Sequence, residues 1–224
     1  DAAPNLIFAS NRARMLYALG RYRESIDAFQ DCLRRANGFL LGFCSIAVAG
    51  DYLELGDLES ARRYIAAAEP IVKATSAPGS SVVLGFDVVR GKLAAIEHRY
   101  DDARRLLTNV IDAKKKNGAT PTAFTIRAEV NMEDHRLDDA VADAHRAIEL
   151  GKELQGGKPY SNRTGLAWLM LGRVLERQGN VPDARAALQS AQLHLSNTVD
   201  ATHPALQQAQ QLLLLLTPQT TRGT

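Results

Sequence analysis

Asn162 to Leu195, NRTGLAWLMLGRVLERQGNVPDARAALQSAQLHL, is the stretch whose reading decides the fold. Trp168, Leu171 and Leu175 recur at helical spacing in its first half. Ala184, Leu188 and Ala191 stand at i, i+4 and i+7 in its second half, the stripe of an amphipathic helix. Between the two lies Gln178-Gly179-Asn180, a break rich in turn residues. The stretch therefore predicts two helices joined by a tight turn.

The same pattern recurs four times upstream. Ser25, Ala61, Ala103 and Ala140 match Ala184 as small residues, at spacings of 36, 42, 37 and 44 residues. Phe29, Ile65, Leu107, Ala144 and Leu188 follow four positions later, and Cys32, Ala68, Val110, Ala147 and Ala191 three after that. Twelve positions before each small residue stand Ala13, Ala49, Gly91, Ala128 and Gly172, where a small side chain lets two helix backbones approach. Breakers separate the units: Asn37-Gly38, Ser76-Ala77-Pro78-Gly79, Asn117-Gly118 with Pro121, and Gly156-Gly157-Lys158-Pro159. No stretch alternates like a strand for more than a few residues, so the expected fold is all-α.

Composition agrees with a folded chain. Of 224 residues, 46% are hydrophobic and 23% charged, too apolar for disorder. Lys plus Arg is 27 against 25 for Asp plus Glu, a net charge of +2, which argues against a nucleic-acid binder. The longest apolar run, Phe39 to Gly50, is 12 residues and too short to cross a membrane. Cys32 and Cys44, two cysteines with no metal-site spacing, are expected as buried free thiols. The chain opens Asp-Ala-Ala-Pro, which reads as a boundary inside a longer chain, the alternative being the mature end of an exported protein.

The repeat resembles the tetratricopeptide repeat. The fifth unit carries Trp168, Leu171, Gly172, Gly179, Ala184 and Leu188 in the family pattern, and the first carries Gly20, Tyr22, Ile26, Phe29 and Leu33. His98 and His135 stand where the family has a turn glycine, and Pro70 suggests that one second helix stops early or kinks. The resemblance implies a right-handed α-solenoid of five hairpins. Its units span about 5–36, 40–74, 81–116, 120–154 and 161–196 within one domain, 1–217, and 218–224 is a polar tail. The spacings exceed the usual period of about 34 residues, so longer helices or connections are expected. A capping helix is expected over 203–217, started by Thr202, with Leu206, Ala209 and Leu213 inward and Gln207, Gln208, Gln210 and Gln211 outward. Residues 162–216 also resemble the ends of repeat arrays in bacterial regulatory proteins.

No enzyme emerges from the motifs. The five histidines include no metal-binding pair, and His98 and His135 are expected as exposed turn residues. Gly156-Gly157-Lys158 lacks the first loop glycine and the following Ser or Thr of a phosphate loop, with Pro159 in the latter's place. Asp101-Asp102 and Asp138-Asp139 begin second helices, where carboxylates meet the positive end of the dipole, and Lys114-Lys115-Lys116 closes one. Asn162-Arg163-Thr164 is a glycosylation sequon by pattern alone.

What remains is a surface. Concave faces of solenoids are lined by first helices and used for binding. The inward positions are expected to include Ser10, Arg14, Tyr17, Ile46, Gly50, Leu53, Val88, Lys92, Thr125, Glu129, Met132, Leu169, Arg173 and Glu176. Groove contacts are assigned to Arg14, Tyr17, Leu53, Lys92, Glu129, Met132, Leu169 and Arg173. A chaperone-type carboxylate clamp is set aside, because its inward sites read Ser10, Arg14, Ala47, Gly50, Gly85 and Val89, and only Arg14 could serve. The expected function is a non-catalytic scaffold that binds a protein or peptide, as a cytoplasmic regulatory or docking module of a larger protein. It needs no cofactor or metal, nucleic acid or membrane insertion. A small-ligand or signalling-peptide sensor, or an assembly protein using Leu212 to Leu216, is the alternative, and a periplasmic location is the alternative to the cytoplasm.

Overall fold

In the computed structural model the described residues are 3–113 and 117–216, with the side chains of residues 3 and 4 excluded. The Lys114-Lys115-Lys116 run and the 218–224 tail lie outside them. The described residues form eleven helices and no strand. They are α1 (Ala3–Leu19), α2 (Tyr22–Arg35), α3 (Gly38–Glu54), α4 (Leu58–Thr75), α5 (Ser81–Ile96), α6 (Tyr100–Asp112), α7 (Ala119–Glu133), α8 (Leu137–Leu154), α9 (Asn162–Arg177), α10 (Val181–Ser196) and α11 (Pro204–Leu215). Consecutive helices pack on one another as the all-α repeat requires, and the first helices α1, α3, α5, α7 and α9 also touch in sequence. None of the eleven is long and apolar enough to cross a membrane.

Each hairpin closes with the same turn. The amide of Gly20 donates to Tyr17 O and that of Arg21 to Leu16 O; Gly56 and Asp57, His98 and Arg99, His135 and Arg136, and Gly179 and Asn180 repeat this pair of bonds. This is the Schellman ending of a helix, whose central residue takes the left-handed conformation. Gly20, Gly56 and Gly179 have φ of 89°, 74° and 78°, and His98 and His135 follow at 58° and 60°. The turn thus keeps its geometry where the glycine is missing, and both histidines are exposed.

The small residues sit at the helix crossings. Ser25, Ala61, Ala103, Ala140 and Ala184 are fully buried, as are Ala13, Ala49 and Ala128. A Cβ on Gly172 would lie 2.6 Å from Leu188 Cγ, and one on Gly91 would lie 2.9 Å from Leu107. The repeat register read from the sequence is therefore the register of close backbone approach.

Three local expectations are corrected. Helix α4 does not stop early at Pro70 but runs through it to Thr75. Pro70 is exposed, so the carbonyl it leaves unpaired faces water, while Ile71 and Val72 anchor the last turn against Gly42. The cap of α11 is His203 rather than Thr202, its Nδ1 accepting the Ala205 amide at 3.1 Å. Leu206 and Ala209 are buried against the fifth hairpin, and Leu213 packs there partly buried. Cys32 and Cys44 are not free thiols but a disulfide. The brief link between α2 and α3 brings their buried faces together with Cα atoms 6.4 Å apart, within bonding range.

Candidate binding cleft

The solenoid bends until its two ends meet. The Asp200 amide donates to Leu19 O at 3.3 Å, and Asn162 Nδ2 donates to Ala18 O at 3.4 Å. The ring of His203 packs edge-on against Tyr22, with centroids 6.2 Å apart. Gly20 makes this approach possible, since a Cβ there would stand 2.7 Å from the His203 ring. The inner side is consequently a cleft walled by the first helices and closed by the last hairpin and α11. It holds two adjoining cavities, of about 690 and 740 Å³, that share Tyr17, Ala18, Asn162 and Leu166. Both lie within the size range of ligand pockets.

The larger cavity gathers most of the groove residues assigned from sequence. Tyr17, Leu53, Lys92, Glu129, Leu169 and Arg173 all line it. Tyr17 Oη donates to Glu54 Oε1 at 2.7 Å, and Lys92 pairs with the same oxygen from the neighbouring α5. Burial opposes ionisation of Glu54, but the charge of Lys92 and the bonds from Lys92 and Tyr17 outweigh it and hold the carboxyl below its usual range. Two first helices further along, Arg173 Nη1 pairs with Glu129 Oε1 at 2.8 Å. These bridges tie α3 to α5 and α7 to α9 across the cleft floor. Leu53 and Leu169 are 4% and 5% exposed, so they shape the wall more than they offer contact area.

Arg14 lines the smaller cavity, its guanidinium 5.8 Å from the centre of the Phe43 ring. Two assignments are corrected. Met132 is 2% exposed and packs in the core shared by α7, α8 and α9, because its position on the last turn of α7 faces Ala140 and Leu175 rather than the cleft. Ser10 is buried and donates to Leu6 O, so it is no groove residue. The sequence reading also missed Glu54, Asn162, Arg163 and His203. A carboxylate on the last turn of α3 carries no local signal that separates it from a solvent-facing one, and His203 reaches the cleft only because the ends meet.

Among the described residues no group of three or more His, Cys, Asp or Glu side chains could hold a metal. The exposed leucines of the C-terminal end are Leu214 and Leu215, which point away from the fifth hairpin.

Fold and cleft together define an α-solenoid of helical hairpins bent around an inner cleft. Residues 160–198, the fifth hairpin, match the tetratricopeptide repeat family. Among solved structures the chain is similar to BtubC (BKLC) from P. vanneervenii, at 15% identity and a TM-score of 0.57, over 98% of this chain and 82% of that one. It is also similar to the nearly identical tetratricopeptide-like repeats of a kinesin light chain protein from Podosopora anserina, at 13% identity and a TM-score of 0.54, over 87% of this chain and 96% of that one. At such identities the likeness establishes the fold. No curated protein matches the sequence.

Proposed function

We propose that the chain is a non-catalytic interaction module that takes a peptide, or an extended segment of a partner protein, into the larger cavity. It acts as a regulatory or docking part of a larger protein. The observation that carries this reading is the cleft floor itself. Tyr17 with the Glu54–Lys92 pair, and the Glu129–Arg173 pair, set two polar groupings among the apolar side chains of Leu53, Ile96 and Leu169. Such a floor gives a bound backbone hydrogen-bond partners while apolar side chains fill the gaps. Tetratricopeptide repeats are in general an interaction fold, and a concave solenoid face is where such folds bind. The Cys32–Cys44 disulfide supports an oxidising compartment, the exported alternative to the cytoplasm.

A photoreactive residue tests the proposal in the source cells. Tyr17→p-benzoylphenylalanine is expected to form adducts with a protein partner, whereas the same residue at the exposed outer position Gln189 is expected to form none. Arg173→Glu, which sets two carboxylates against each other, should cut the Tyr17 adduct yield roughly tenfold, as loss of a central arginine contact does. Equal adducts at both positions would contradict the assignment of the cleft.

A further inference from the structure

The two cavities differ in charge. In the larger one every inward cation has a carboxylate: Lys92 has Glu54, and Arg173 has Glu129. In the smaller one Arg14 and Arg163 both line the wall, and among the described residues neither forms an ion pair. Arg163 is half-buried at the start of α9. Burial, then the charge of Arg14, push its guanidinium pKa down, so the two cations repel each other across one cavity. Among the described residues the only acid in this wall, Asp51, is fully buried and accepts a bond from Ser25 at 2.9 Å. It is held by the first hairpin and bonds neither arginine.

Two further features match this excess of positive charge. The first turns of α5, α7 and α9 contribute Ser81, Thr122 and Asn162 to the same cavity, near the positive ends of three helix dipoles, while the last turns of α1 and α3 contribute Tyr17, Ala18 and Asp51. Apart from Asn11 and Tyr17 the rest of the wall is apolar, with Phe43, Val89 and Leu166 only partly buried and therefore available for contact. A half-buried guanidinium such as that of Arg163, without a counter-ion among the described residues, is costly to hold, and a bound anion removes that cost.

We propose that the smaller cavity binds a small amphipathic acid, with Arg14 and Arg163 receiving its carboxylate and Phe43, Val89 and Leu166 its apolar body. A planar carboxylate matches the forked donors of two guanidiniums. The volume of about 690 Å³ suits a compact ligand, and the bond of Asn162 to Ala18 joins two residues that line both cavities. The assignment is independent of the partner reading, since it concerns the chain alone.

Calorimetric titration of the purified chain with decanoate, 1-decanol and acetate tests it. Saturable one-to-one binding of decanoate is expected, with 1-decanol and acetate each bound at least about tenfold more weakly, as each lacks one half of the recognised chemistry. Arg14→Gln and Arg163→Gln should each weaken decanoate about tenfold or more. Arg14 is exposed and without an ion-pair partner among the described residues, so Arg14→Gln should fold normally even if Arg163→Gln does not. Thermal melts of both variants separate lost binding from lost structure. Equal affinity for decanoate and 1-decanol, no decanoate binding, or wild-type binding by a folded Arg14→Gln variant would overturn the proposal.

Discussion

His98 and His135 hold the left-handed conformation that three glycines hold in the equivalent turns. A side chain in that region costs roughly 1–2 kcal/mol, and His98 recovers part of it through the 2.8 Å contact of its Nδ1 with Tyr100 Oη. From sequence the two histidines were visible only as departures from a pattern. Their alignment with Gly20, Gly56 and Gly179 nonetheless fixed where the turns fall. Asp51 gave no such signal, because an aspartate near a helix end ordinarily faces water. Here it is fully buried, with Oδ1 unbonded, and burial raises its pKa from 3.8 to about 7. The folded state therefore holds the proton more tightly than the unfolded chain. The stability this provides is present at low pH and is lost as pH rises from about 4 to about 7. Asp51→Asn should be close to wild type in stability near pH 4 and more stable near pH 8, by up to about 4 kcal/mol in denaturant titrations. A constant difference across that range would show that Asp51 does not titrate there.

At the scale of elements, the hairpins were the legible part. Small residues spaced along the chain have a direct geometric meaning, since only Gly, Ala or Ser fits where two helices cross, and the structure puts all ten of them there. Contacts between hairpins were harder to read. Arg127 extends Nε and Nη2 to the two carboxylate oxygens of Asp143 at 2.8 and 2.7 Å, and Nη1 to Thr108 at 2.9 Å, while Asn131 adds a bond to Asp143 at 3.0 Å. This network fastens α6, α7 and α8. Nothing in the local pattern distinguishes Arg127 from a solvent-facing arginine, because its partners lie 16 and 19 residues away. Arg127→Ala would strand Asp143, which is 6% exposed, and should lower unfolding free energy by about 3–5 kcal/mol. A loss well below 1 kcal/mol would mean that water already satisfies Asp143. The disulfide escaped for a related reason: two cysteines on apolar faces look like core residues until the α2–α3 connection sets their separation.

Closure of the whole molecule was beyond the sequence. Whether the first and fifth hairpins meet depends on the small rotation between successive units, accumulated over unequal spacings of 36 to 44 residues. The contacts that close the ring are few: a backbone bond from Asp200 to Leu19, a side-chain bond from Asn162 to Ala18, and the packing of His203 on Tyr22 and Gly20. They nevertheless convert an open groove into a cleft, and they bring Arg163 to Arg14. Both functional assignments depend on this geometry. Pulsed electron resonance between spin labels on Arg23→Cys in α2 and Gln210→Cys in α11, two exposed positions flanking the junction, measures it directly. The native disulfide occupies the chain's own cysteines and leaves them unlabelled. The account predicts one short, narrow distance distribution. A long or broad distribution would show that the ends stand apart and that the inner face is an open groove.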